Sequence, residues 1–114
     1  MIVRNQTRGT TLADRCRMAQ GFWPRLRGLL FTKPLAEGEG LLIDPCQSVH
    51  TVMMSYPIDV LFLNKQGRVA HLIDAMAPYR ASRFVWSARS VLELPAGTAR
   101  QTRTTVGDLL LVES

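Results

Sequence analysis

No part of this chain approaches the ~20 consecutive apolar residues that a membrane-spanning helix needs. The longest purely apolar runs, such as Leu109–Val112, have the length of a strand. Residues 1–15 carry Arg4, Arg8, Asp14 and Arg15, and lack the ~7–15-residue apolar block of an export signal. A cytoplasmic protein is therefore expected. Cysteine is scarce: Cys16 and Cys46 alone, thirty positions apart. That count permits one disulfide without requiring it, and a reducing compartment would keep both thiols free. There is no phosphate loop, no dinucleotide fingerprint, no internal repeat and no low-complexity linker. Lysine is nearly missing, with two residues against twelve arginines.

What remains is ordinary globular composition, 46% hydrophobic and 20% charged. At 114 residues the chain has the size of one domain, residues 1–114. Such a domain buries roughly 65% of its unfolded surface, enough for a core without disulfides or metal. The net charge is +5, but the arginines are scattered, as on a solvated surface. Nucleic acid is not the expected partner. The densest basic stretch that also holds aromatics runs from Tyr79 through Arg80, Arg83, Phe84 and Trp86 to Arg89, and is the candidate for an anion or nucleic-acid contact, the latter resting on charge alone.

Strand patterns dominate. Met1–Thr7 and Thr10–Met18 read as two strands around Arg8-Gly9, and Leu41–Ile43 as a short buried strand stopped by Asp44-Pro45. Cys46–Met54 alternates, Tyr56-Pro57 breaks it, and Ile58–Leu63 is strongly β-forming. Asn64-Lys65-Gln66-Gly67 is a hairpin turn into Arg68–Met76. Pro78–Ser87 is a loop or irregular arm, Ser90–Leu94 a strand, and Gly107–Val112 the last. One helix of a turn or two is expected near residues 22–31. There Pro24 can open it, and Leu26, Leu29 and Leu30 recur at helical spacing. The expected class is mainly β, at the margin of α+β. The architecture would be a compact antiparallel barrel or sandwich of about seven or eight short strands with that helix.

Four stretches carry a family likeness. Arg27-Gly28-Leu29-Leu30-Phe31 is similar to a G-L-M-F segment, with Leu30 in the methionine slot. His50 to Met54, followed by Ile58-Asp59-Val60-Leu61-Phe62, fits H-x-x-x-M-x-x-x-I-D-V-x-F. Val91-Leu92-Glu93-Leu94-Pro95-Ala96-Gly97 and Val106-Gly107-Asp108 complete the set. In order and spacing the chain resembles the domain-of-unknown-function 192 family along nearly its whole length. The resemblance implies a β-rich fold and a bacterial or archaeal source. It supplies no residue with a known role, so any site must come from the side chains.

On an extended strand same-face residues recur every second position, so Cys46, Ser48, His50 and Met54 would share a face. Cys46 and His50 would then lie ~13 Å apart along the strand, too far for a nucleophile and its base. Asp59 and Glu93 each interrupt an apolar strand. Either faces water, or both enter one shallow polar cleft near His50, where a carboxylate beside the imidazole would raise its basicity. Asp59 is the expected partner of His50, because the Tyr56-Pro57 break lets its strand fold back. The spacing fits no metal motif, and neither metal nor cofactor is expected. The candidate pocket is thus His50, Asp59, Glu93, Cys46, Ser48 and Met54. The leading expectation is a small non-enzymatic binding or accessory module that takes a small ligand or a protein partner there. The alternative is a hydrolase-like or metal-assisted enzyme using His50 with Asp59 or Glu93.

Overall fold

A computed structural model describes residues 1–20, 34–49 and 56–114, apart from the side chain of Gln20. The expected helix near residues 22–31, and the candidates His50 and Met54, lie outside the described residues. Eight strands are described: β1 (Ile2–Asn5), β2 (Thr10–Ala13), β3 (Arg15–Gln20), β4 (Glu39–Asp44), β5 (Ile58–Leu63), β6 (Val69–Met76), β7 (Ser90–Pro95) and β8 (Leu110–Glu113). One short helix, α1 (Thr98–Gln101), follows β7. The class is mainly β, as the alternation of the sequence predicts.

The strands form two sheets, ordered β2-β1-β8 and β3-β4-β7-β5-β6. They pack as a sandwich in which the larger sheet is covered on both faces. Toward the three-stranded sheet, Leu42, Leu61, Leu63, Leu92 and Leu94 meet Val3, Leu12 and Leu110. On the far face, Leu41, Ile43, Ile58, Val60, Phe62 and Val91 pack under Cys46, Val85 and Ala88. A strand buried on both faces has no polar side to show. Hence Ile58–Leu63 is a continuous apolar run rather than an alternation, broken only by Asp59. No helix among the described residues is long and apolar enough to cross a membrane.

Three expectations need correction. The strand expected over Thr10–Met18 divides at Asp14, and its halves β2 and β3 join different sheets. The Asp14 and Arg15 N–H groups both donate to the Gly38 carbonyl, at 3.0 and 2.9 Å, which turns the chain there. The sandwich is not wholly antiparallel, since β3 runs parallel to β4. Finally, Cys46–Val49 is not a strand. Its backbone is tied instead to the irregular arm of residues 77–89. The Cys46 N–H donates to the Arg89 carbonyl at 2.9 Å, the Val85 N–H to Gln47 at 2.8 Å and the Ser82 N–H to Val49 at 2.8 Å.

Helix α1 has no counterpart in the sequence reading. It is four residues long, opens on Gly97 at φ +95°, and has no acid in its first turn and no cap from a neighbouring side chain. Its cap comes from β5: Asp59 Oδ2 accepts the Ala99 N–H at 2.8 Å.

Candidate functional site

Asp59 and Glu93 part company at the sheet. Asp59 pairs with Leu94 across β5 and β7, and Glu93 pairs with Val60. Successive residues of a strand point to opposite faces, so this one-residue offset sends the two acids to opposite sides. Asp59 enters the core shared with the three-stranded sheet and is fully buried. Both its oxygens are occupied: Oδ2 by Ala99, and Oδ1 by the N–H of Ala75 at 2.8 Å. Ala75 holds a left-handed φ of +51° on β6, near a shift in the β5–β6 register. The Asp59 carboxyl therefore fastens an irregular point of β6 and the start of α1. It does not converge with Glu93, which corrects the expectation of one cleft holding both acids.

Glu93 takes the other face. Its register partners are Val60 on β5 and Leu41 on β4, so its carboxyl is set among aliphatic side chains. It is 5% exposed, and Oε2 has no hydrogen-bond partner among the described residues. Burial away from water disfavours the charged form and pushes this carboxyl up to about 8. At neutral pH Glu93 is thus a neutral acid, able to donate as well as accept a hydrogen bond.

That acid lies at the inner wall of a cleft of about 900 Å³. Ile43, the segment Pro45–Val49 and the turn Asn64–Gln66 line it. Phe84 and Trp86–Arg89, on the arm whose backbone is bonded to Cys46–Val49, continue the lining from that segment. Cys46 is buried there, with its thiol turned to the Ser48 carbonyl at 3.0 Å, while Ser48 itself is exposed. Of the sequence candidates, then, the cleft gathers Glu93, Cys46 and Ser48. Phe84 and Trp86 stand at its mouth as an edge-to-face pair, ring centroids 4.6 Å apart. Trp86 is 83% exposed, and its carbonyl is held by Gln47 Nε2 at 3.0 Å. The basic lining residues are Lys65 and Arg89, the latter giving Nε to Asp44 Oδ1 at 3.1 Å. Among the described residues, no group of three or more His, Cys, Asp or Glu side chains is placed to hold a metal.

The Tyr79–Arg89 stretch stands out in the sequence for its charge and rings, but nothing there joins it to Glu93. The join is made by the N–H of Arg89, which donates to the Leu63 carbonyl at 2.7 Å and lays the arm over the sheet. Nothing in the local pattern signals a contact between residues so far apart.

A second buried polar group is self-contained. Asp108 Oδ2 accepts from Asn5 Nδ2 at 3.0 Å, Arg8 Nε at 3.1 Å and the Thr105 N–H at 3.0 Å. Burial alone would push its carboxyl up, but these donors outweigh it and hold Asp108 below the ordinary carboxylate range. Asn5 Nδ2 also donates to Thr104 Oγ1 at 2.9 Å. Asp108 Oδ1 accepts from Thr105 Oγ1 at 3.4 Å, so both oxygens are engaged and the cluster ties the β1–β2 turn to the segment before β8.

The comparisons agree with this fold. A UPF0127 protein of Pyrococcus furiosus is 32% identical over 111 residues, covering 93% of each chain. A UPF0127 protein of Thermococcus sibiricus is 30% identical over 109 residues, covering 91% of this chain and 70% of the relative. The crystal structure of a protein of unknown function from Novosphingobium aromaticivorans superposes with a TM-score of 0.83. It covers 97% of this chain and 82% of its own at 20% identity, a likeness of fold. Residues 3–112 match the family described as Uncharacterized ACR, COG1430, and the chain belongs to that family, DUF192.

Proposed function

We propose that the chain acts as one domain, a small cytoplasmic binding or accessory module without enzymatic activity, whose ligand sits in the cleft lined by Cys46–Val49, Phe84 and Trp86–Arg89. The observation that carries the proposal is Glu93. Its carboxyl is buried at the cleft wall with one oxygen left without a protein partner. A buried polar group without a partner costs about 1–3 kcal/mol. A ligand that pairs with this oxygen recovers that cost. The cleft volume lies in the range of small-molecule sites, ~300–1,000 Å³. A cytoplasmic setting goes with Cys16 and Cys46, both buried and neither joined in a disulfide.

The enzymatic alternative loses one of its two acids, because Asp59 spends both oxygens on backbone N–H groups. Glu93 alone supports binding more directly than catalysis. Native mass spectrometry of protein taken from its own host tests the proposal. A retained small molecule is expected, displaced when Ala88 is enlarged to Phe at the cleft wall. A bare protein in both forms, in a preparation that keeps weak complexes, contradicts it.

A further inference from the structure

The cleft is defined by three features of different chemistry, and together they select a ligand. At the inner wall is the Glu93 carboxyl, held between Leu41 and Val60. At the mouth are the Phe84 and Trp86 rings. On the rim are Lys65 and Arg89. Resting on the binding proposal above, we propose that the cleft takes a small organic anion built on a planar ring. Its acid group would meet Lys65 and Arg89, its ring would stack on Trp86 beside Phe84, and a hydrogen-bond acceptor on it would reach Glu93.

The charge balance favours an anion. The charged and titratable groups lining the cleft, among the described residues, are Lys65, Arg89, Glu93 and the Cys46 thiol. Asp44 stands beside Arg89 and answers one of the two cations. Lys65 is exposed and makes no ion pair among the described residues. Arg89 uses one N–H on Asp44, and a guanidinium has five. A cationic ligand would meet both these side chains as like charges. At Glu93 it would find only the carbonyl oxygen of a neutral carboxyl, with no opposite charge to pair with, because burial holds that acid neutral. An anion meets no such opposition, because a neutral carboxyl donates a hydrogen bond to its acceptor. The ring requirement comes from Trp86. A large indole left 83% exposed, on backbone pinned by Gln47, offers a preset stacking face.

The test uses ring-matched probes and amide NMR of the full chain. The probes are para-hydroxyphenylacetate, its uncharged amide and the cation tyramine, with phenyl phosphate to tell a phosphate ligand from a carboxylate. The expected result is that para-hydroxyphenylacetate or phenyl phosphate shifts cleft amides and binds at least about tenfold more tightly than tyramine. Lys65→Gln should remove most of that preference. Glu93→Gln, which keeps a neutral donor and acceptor, should still bind the acid. Parent binding should weaken as pH rises through about 8, where Glu93 ionises, and the variant should not follow. Tyramine binding as tightly as the acids, or loss of acid binding in Glu93→Gln, overturns the anion proposal while the binding cleft stands. If no probe shifts a cleft amide but host-derived protein carries a molecule, the ligand class is wrong and the cleft is right. No probe bound and no molecule retained overturns both.

Discussion

Asp59 and Glu93 stand on neighbouring strands, one residue out of register, and face opposite sides of the same sheet. That offset gives the two acids different work. Asp59 has both oxygens on backbone N–H groups, whereas Glu93 Oε2 has no hydrogen-bond partner among the described residues. Asp108, the other acid in the family-like motifs, is likewise consumed by Asn5, Arg8 and Thr105. Of these three buried acids, Glu93 is the one with an oxygen to offer a ligand.

Asp59→Ala should be strongly destabilising. It strands the Ala75 and Ala99 N–H groups, each an unmet donor costing about 1–3 kcal/mol. Urea unfolding should show a loss of about 2–5 kcal/mol, with amide exchange rising first in 98–101. A loss below about 1 kcal/mol would mean that the two bonds carry little.

Glu93→Gln should stabilise the protein, and more so as pH rises. Between the ordinary value of 4.5 and the raised value of about 8, the folded chain keeps a proton that the unfolded chain has lost. Glu93's contribution is therefore complete below 4.5 and drains away as pH climbs toward about 8. The slope is at most ~1.4 kcal/mol per pH unit. Glutamine has no proton to lose. The gap in Tm between variant and parent should widen across that window and then level off. A gap constant with pH refutes this account.

Asp108 predicts the opposite dependence. Its carboxyl is held low, so its contribution is present above the ordinary 3.8 and is lost as pH falls through the lowered folded value. Asp108→Asn should cost about 1–3 kcal/mol near neutral pH, since charged hydrogen bonds are lost. The cost should shrink in acid. Urea titrations of both proteins at neutral and acid pH check this, and an equal cost at both would contradict it.

Cys16 and Cys46 should react slowly with a thiol reagent in the native state and fully in denaturant without reductant, since both are buried and neither is in a disulfide. Burial pushes the Cys16 thiol up, which further slows it. Finding no reactive thiol in the denatured monomer would refute the free-thiol assignment.

Strands were legible wherever burial leaves a clear mark. Ile58–Leu63 has the bounds its apolar run suggests, and Asn64–Gly67 is the turn its residues predict. The acids at 59 and 93 were visible as interruptions of apolar strands, but not the faces they take. A face depends on register, and one residue of slip reverses it. Helix α1 could not be read from Gly97–Gln101, because its capping carboxyl comes from Asp59 on a distant strand. Cys46–Val49 alternates like a strand, yet its backbone partners are the irregular residues 82–89. Alternation records which side chains are buried, not what the backbone pairs with.

The central claim is that Glu93 meets its ligand as a neutral acid at the wall of the cleft. A carboxyl-carbon NMR titration of the glutamate-labelled protein measures this directly, with Glu93→Gln identifying the resonance. The expected midpoint is about 8, well above the ordinary 4.5. A Glu93 midpoint in the ordinary carboxylate range would mean a solvated, charged side chain and would contradict the account.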